Sequence, residues 1–271
     1  MKNSHEELSN LAREARREIV RMIGRIGVGH IGGCLSLVEV MVYLYFREMD
    51  IRPEQPDWID RDRFVMSKGH AGPILYTMLG MRGYFSKDLF ATLNQPGTSL
   101  PSHCDMRLTT GVDMTAGSLG QGLSCAIGMA LAARLDKKTC RTFCILGDGE
   151  QQEGQVWEAA MYAAGQKLDK VVAILDDNGM QIDGMTDDIN SVRPMEERWS
   201  AFGWATTVVD GHDFEELAKA FAFARNTRGK PTAIVLKTIK GKGISIAENK
   251  CGSHNMSLTQ EQTEAALREL Q

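Results

Sequence analysis

The chain has 271 residues, 43% hydrophobic and 24% charged, enough for one large α/β domain or two small ones and unlike a disordered or fibrous polypeptide. A formal charge of −4 excludes a basic field able to hold nucleic acid in bulk. No apolar run approaches the roughly 18 residues of a membrane span. Nothing near Met1 has the charged-then-apolar form of a signal peptide, so a soluble, cytoplasmic protein is predicted.

Residues 4–26 predict an amphipathic helix, because Leu8, Leu11, Ala15, Ile19, Met22, Ile23 and Ile26 fall on one face. Its mixed cluster, residues 13–18, reads as a solvated face. A glycine-rich loop over 27–33 follows. Ser36 with Glu39 reads as a capping box for a second helix ending near Arg47. A short strand at 63–67 runs into Lys68, Gly69 and His70 and a helix through Leu79. Residues 92–119 lack any period and read as a long functional loop. The apolar helix expected at 121–135 carries a ridge of small residues (Gly120, Ser124, Gly128, Ala132) suited to close packing, as at a subunit interface. Beyond it the pattern alternates: strand 142–146, helix 154–168, strand 171–176, helix 194–202, strand 205–210, helix 213–226, strand 232–237. Such alternation, with strands apolar on both faces, predicts a single α/β domain over 1–271. Its parallel sheet would be flanked by helices on both faces.

Ligands of such sheets bind beyond the carboxyl ends of the strands. There the chain places Gly147, Asp148 and Gly149, and one strand later Asn178. A carboxylate and a side-chain amide are hard oxygen ligands suited to Mg²⁺ or Ca²⁺ holding a phosphate. The glycines admit that phosphate to the backbone, and a helix beginning near Glu153 aims free N–H groups at it. Of six histidines, His5 lies in a polar segment and His212 at a strand-to-helix connection, where a structural role is expected. His30, His70, His103 and His254 occupy Gly- or Ser-flanked loops that present a side chain to a ligand. An imidazole with a near-neutral pKa exchanges protons with a hydroxyl. The six cysteines contain no Cys-x-x-Cys pair, and Cys140 with Cys144 is too small a set for zinc. Free thiols in a reducing compartment are predicted.

Six segments resemble, in order, the first domain of the transketolase family, a thiamine diphosphate-binding fold. They are Gly29-His-Ile-Gly-Gly33, Ser67-Lys-Gly-His70, Thr115-Ala-Gly-Ser-Leu-Gly-Gln-Gly122, Leu146-Gly-Asp-Gly-Glu-Gln-Gln-Glu-Gly154, Asp176-Asp-Asn-Gly-Met-Gln-Ile-Asp-Gly184 and Lys237-Thr-Ile-Lys-Gly-Lys-Gly243. The resemblance implies thiamine diphosphate and Mg²⁺ as cofactors, with Ca²⁺ or Mn²⁺ as substitutes. The metal would be held by Asp148, the Asn178 side chain and the Met180 carbonyl. Met180 replaces the family's usual aliphatic residue, which a main-chain ligand tolerates.

The same resemblance puts Gly147, Gly149, His70 and His254 at the diphosphate, although the sequence around His254 departs from the family. Gly117 and Leu119 would line the aminopyrimidine side, and Ile182 would brace the bent cofactor. His30, His103 and His254 would serve the sugar as catalytic histidines. Glu153 matches a buried glutamate that joins a carboxylate network across the interface; its alternative is a charge favoured at a helix N-terminus.

The implied function is that of the N-terminal subunit of a two-chain transketolase, moving a two-carbon ketol unit from a ketose phosphate to an aldose phosphate. The pyrimidine-binding and C-terminal domains, with the glutamate that activates the cofactor, would come from a second chain in an α2β2 assembly. The chain alone would not turn over. The rivals are the α-subunit of a 2-oxo acid dehydrogenase, a deoxyxylulose-phosphate synthase, and a cofactor-binding fragment without catalysis.

Overall fold

A computed structural model of the chain describes residues 4–271; the first three, part of the stretch read for a signal peptide, lie outside the described residues. Helix α1 (His5–Ile26) opens on a capping box between Ser4 and Glu7 and closes at Gly27, whose φ of +81° suits glycine. Its apolar face is buried as predicted. Arg16 is not solvated, however: it is 8% exposed and ion-paired to Glu39 at 2.6 Å.

After the short strand β1 (Val28–Gly29) the chain turns directly into α2 (Ile31–Leu35), so the predicted glycine loop is in part helical. The single helix expected from Ser36 is broken as well. Helix α3 (Val38–Tyr43) follows a break at Ser36–Leu37 and continues as a π-turn over Leu44–Glu48. Ser36 caps no helix N-terminus. Its hydroxyl donates to the Gly33 carbonyl and to Asp176, while Glu39 accepts from Arg16 and bonds His212. A buried carboxylate outcompetes a local cap for the hydroxyl.

Strand β2 (Arg63–Met66) leads to α4 (Gly72–Arg82). After a 3-10 turn at Lys87–Thr92, no helix or strand appears before Gly120. The loop is nonetheless packed, with Leu100, Cys104, Val112 and Ala116 buried. Then come α5 (Gln121–Leu135), β3 (Thr142–Gly147), α6 (Gly154–Gly165) and β4 (Val171–Asp177). Helix α6 stops three residues short of the predicted end. The hairpin β5 (Met180–Gln181) and β6 (Gly184–Met185) precedes α7 (Thr186–Asn190), α8 (Met195–Ala201), β7 (Ala205–Asp210), α9 (Phe214–Asn226) and β8 (Thr232–Lys237). Strand β9 (Met256–Ser257) and α10 (Gln260–Glu269) close the chain.

The central sheet has five parallel strands in the order β2-β3-β4-β8-β7. Alternate residues of each strand enter different cores. Phe143, Ile145, Val172, Ile174, Ile234 and Leu236 pack against α1, α3, α4 and α9. Cys144, Leu146, Ala173, Leu175 and Val235 pack against α5, α6 and α8. At the carboxyl edge the chain leaves β2 and β8 towards the first layer, but leaves β3 and β4 towards the second. Opposed exits of this kind open a crevice between neighbouring strand ends.

Only the second half of the small-residue ridge faces outward: Gly128 and Ala132 are exposed, and a Cβ on Gly128 would meet nothing within 4 Å, whereas Gly120 is buried against Glu153 and Ser124 is half-buried. All six cysteines are free thiols. No helix among the described residues is long and apolar enough to cross a membrane.

Candidate active site

The crevice is a cavity of about 380 Å³ at the carboxyl edge. Every residue singled out for cofactor, metal or catalysis lines it: His30, His70, His103, Gly117, Leu119, Gly147, Asp148, Gly149, Glu153, Asn178, Met180, Ile182 and His254. They come from distant segments. Strand ends β2, β3 and β4 deliver His70, Asp148 and Asn178. The two-residue antiparallel ladder of β1 with β9 pairs Val28 with Ser257 and Gly29 with Met256, which carries His30 and His254 to the same wall.

The four loop histidines form one cluster. Ring centroids lie 4.8 Å apart for His70 and His254, 5.3 Å for His30 and His70, 5.5 Å for His30 and His254, and 5.7 Å for His30 and His103. Burial first, then Lys68 and the neighbouring imidazoles, push His70 down to about 2. Burial and then Lys240 bring His254 to about 3. His30 and His103 are also lowered, chiefly by burial. The near-neutral pKa expected of these side chains is therefore corrected: the crevice holds them as neutral imidazoles, each with one donor and one acceptor nitrogen.

This has a sign in pH. A histidine whose folded pKa lies below its unfolded value of about 6.5 contributes stability above that value and loses it as the pH falls. His70 then costs up to about 1.4 kcal/mol per pH unit below pH 6.5. Urea denaturation at pH 7, 6 and 5 is expected to show a falling midpoint, and His70→Asn a shallower fall. A slope unchanged in that variant contradicts the assignment.

Asp148 follows β3 and is 2% exposed. Its oxygens accept from the Gly149 N–H at 2.9 Å and the Thr186 hydroxyl at 3.0 Å. Burial, and next the charge of Asp176, push it up to about 6. A divalent cation would supply the positive charge that Lys68 provides only in part. Asn178 Oδ1 accepts from the Met180 N–H at 3.1 Å, and its Nδ2 donates to Asp176 at 3.0 Å. The Met180 carbonyl accepts from Lys240 Nζ at 3.2 Å. Among the described residues no group of three or more His, Cys, Asp or Glu is placed to hold a metal. One carboxylate, one amide and one carbonyl instead fit Mg²⁺ completed by phosphate oxygens and water. The residues present fit that group.

Several residues of the crevice escape a reading of the sequence alone. Lys68 is 2% exposed and pairs with Asp176 at 2.5 Å. Asp176 is fully buried and also accepts from Ser36 and Thr238. Burial alone raises such a group, but Lys68 and the hydroxyls hold it below the ordinary carboxylate range. Lys240, 1% exposed, lies 3.2 Å from His254 Nδ1 and is lowered to about 8, by burial first and Lys68 second. Both lysines stand inside quoted segments, Ser67–His70 and Lys237–Gly243, where a lysine beside glycines was the available signal.

The glutamate buried within the chain itself is Glu150. Glu150 is 2% exposed and accepts from Ser67 Oγ, from the Gly120 N–H at 2.9 Å and from the Gly147 N–H at 3.0 Å, joining three walls of the crevice. Glu153 is exposed in this chain, as the N-cap of α6. The 3-10 turn Gly149–Gln152, rather than the first turn of that helix, faces the cavity. Ile182 stands 68% exposed at the mouth. Outside the crevice, His212 bonds Glu39 at 2.9 Å and accepts from the Ile239 N–H, which fits its structural reading, and His5 lies at the surface.

Known proteins resemble this chain in sequence and fold. The family model described as transketolase, thiamine diphosphate binding domain, matches residues 9–270. The chain is 52% identical over its whole length to the 6-deoxy-6-sulfo-D-fructose transketolase subunit SqwG of Clostridium sp. (strain MSTE9), covering 98% of that protein. It is 40% identical over 98% of its length to an apulose-4-phosphate transketolase subunit of Phocaeicola vulgatus, covering 94% of it. Among solved structures, transketolase from Campylobacter jejuni superposes over 99% of this chain with a TM-score of 0.93 at 30% identity, and 43% of that longer chain is covered. With the fold, the crevice and these relatives in agreement, the chain belongs to the transketolase family, in its thiamine diphosphate-binding domain.

Proposed function

We propose that the chain is the cofactor-binding subunit of a two-chain transketolase. The observation that carries this is the one-sided crevice, where the residues proposed for the metal, the lysines and the histidines converge inside while Gly117, Glu153 and Ile182 remain exposed at the rim. The two relatives matched along nearly their whole length, both described as subunits, support the second chain. An α2β2 assembly accounts for an exposed rim and the outward-facing second half of the α5 ridge together.

Bound thiamine diphosphate would supply the carbon centre that holds the two-carbon fragment. The chain's own residues bind and orient. Asp148, Asn178 Oδ1 and the Met180 carbonyl would hold Mg²⁺, for which Ca²⁺ or Mn²⁺ can substitute. Lys240, His70, His254 and the glycines at 147 and 149 would take diphosphate oxygens, Lys240 leaving the Met180 carbonyl to do so. The Gly117 carbonyl and Leu119 would meet the aminopyrimidine, and Ile182 would cover it. His30 and His103, with His254, would exchange a hydroxyl proton with the sugar as neutral imidazoles.

The substrate is a ketose with an anionic terminus, and 6-deoxy-6-sulfo-D-fructose is the first donor to test, because the relative at 52% identity is described by it. A panel of that sugar, fructose 6-phosphate, apulose 4-phosphate and pyruvate, offered to the two-chain assembly, is expected to show ketol transfer from a sugar. Turnover of pyruvate alone would place the chain among the 2-oxo acid enzymes instead. Cofactor binding without any turnover would make it a non-catalytic fragment.

A further inference from the structure

The loop from Asn178 to Thr186 carries Asn178, Met180 and Ile182, and ends on the hydroxyl that donates to Asp148. Apart from the bonds of Met180 to Asn178 Oδ1 and Lys240 Nζ, its backbone is held by a short ladder. Met180 pairs with Met185 and Gln181 with Gly184, and the Thr186 N–H bonds the Gly179 carbonyl at 2.9 Å. Gln152 reaches it from outside, donating to Gln181 at 2.7 Å. No apolar core anchors the tip, since Ile182 is 68% exposed.

One side chain ties the two ends of this loop together. Arg193 donates from Nε to Asp177 Oδ1 at 3.0 Å and from a terminal nitrogen to the same oxygen. Its other terminal nitrogen donates to Asp187 Oδ2, a carboxylate steadied by the Ser191 hydroxyl at 2.6 Å. Asp177 precedes Asn178 and Asp187 follows Thr186, so the guanidinium spans the loop's neck. It also lies under the hinge: Gly179 has φ +78°, and a Cβ there would come within 3.1 Å of the guanidinium.

The pair with Asp187 is exposed, at 46% for the carboxylate, and alone contributes little. The pair with Asp177 is different, because that carboxylate is 3% exposed. Lys237 also pairs with Asp177 and stays if Arg193 is removed, so the buried charge keeps a partner and the fold survives. What is lost is the tie across the neck. A planar fork holds both carboxylates in a fixed geometry, whereas an ammonium offers a point charge that ties them less rigidly.

We propose that Arg193 is a positioning residue that sets the Asn178–Thr186 loop in its ligand-presenting shape before any ligand arrives. This rests on the cofactor site proposed above. Supports of this kind around metal ligands are typically worth about 10- to 100-fold in affinity.

The test uses the two-chain assembly with Arg193→Gln and Arg193→Lys. Without cofactor, hydrogen exchange at amides 179–187 is expected to quicken by about tenfold in Arg193→Gln, with β3 and β4 unchanged. Calorimetry with thiamine diphosphate and Mg²⁺ is expected to show binding weakened by about 10- to 100-fold, with kcat at saturating cofactor within about twofold of wild type. Arg193→Lys is expected to recover part of the binding. Unchanged exchange in the loop, or a loss spread over the whole molecule with a matching fall in Tm, overturns the proposal. If wild type itself binds no cofactor, the reading of the site fails, and the exchange result still decides the role of Arg193.

Discussion

Replacing Asp148 and Asn178 together by alanine is expected to abolish Mg²⁺-dependent binding of thiamine diphosphate by the two-chain assembly, a loss of more than about 100-fold. The reasoning is electrostatic. Asp148 is the one carboxylate of the proposed metal set, and its rise to about 6 reflects burial and the nearby Asp176, which the bonds from Gly149 and Thr186 and the charge of Lys68 offset only in part. Removing it takes away the charge that recruits the metal. Removing Asn178 takes away the amide oxygen and frees the Met180 N–H, which that oxygen accepts from at 3.1 Å. Without the metal, the crevice has Lys240, Lys68 (already paired to Asp176) and neutral histidines to face a diphosphate. An unaltered calorimetric isotherm in the double variant would refute the metal assignment.

Lys68→Met is the other change with a large expected effect, here on stability. It leaves Asp176 fully buried with hydroxyl and amide donors but no cation bonded to it. Breaking a buried ion pair by removing one partner costs about 3–5 kcal/mol. For a chain of this size that lowers Tm by roughly 10 °C. Adding Asp176→Asn should recover part of the loss, because neither charge then remains desolvated, and the coupling between the two sites in a double-mutant cycle should be positive. Strict additivity, or a Tm within about 2 °C of wild type for Lys68→Met, would show that the pair does not hold the crevice together.

Strands were the most legible part of the fold. The three inner strands, β3, β4 and β8, are buried on both faces, and a run such as Val171 to Leu175 has no other stable place in a sheet covered by helices on both sides. The short elements were not legible for the opposite reason. Strands β1 and β9 are two residues each and leave no period to detect, yet their ladder brings His30 to His254. The break at Ser36 depends on Asp176, 140 residues away, drawing its hydroxyl from a local cap. Helix α10 does carry a local signal in the sequence: Thr259 and Gln262 form a capping box.

Site residues divide in the same manner. Asp148, Asn178 and the loop histidines stood out because their types and glycine neighbours declare them. Glu150 and Glu153 lie three residues apart in one motif, and only the 3-10 turn at Gly149–Gln152 decides which is buried. The pKa values of the histidines depend on Lys68, Lys240 and one another, groups that meet only in the folded chain.

The measurement closest to the central claim is a two-carbon transfer assay with 6-deoxy-6-sulfo-D-fructose or fructose 6-phosphate as donor and an aldose phosphate as acceptor. It would be run on this chain alone and on the chain mixed with a partner bearing a pyrimidine-binding domain. With thiamine diphosphate and Mg²⁺ present, transfer is predicted from the mixture and none from the single chain. Full ketol transfer by the purified single chain, or a mixture that moves no ketol unit from any sugar while turning over pyruvate, would contradict it.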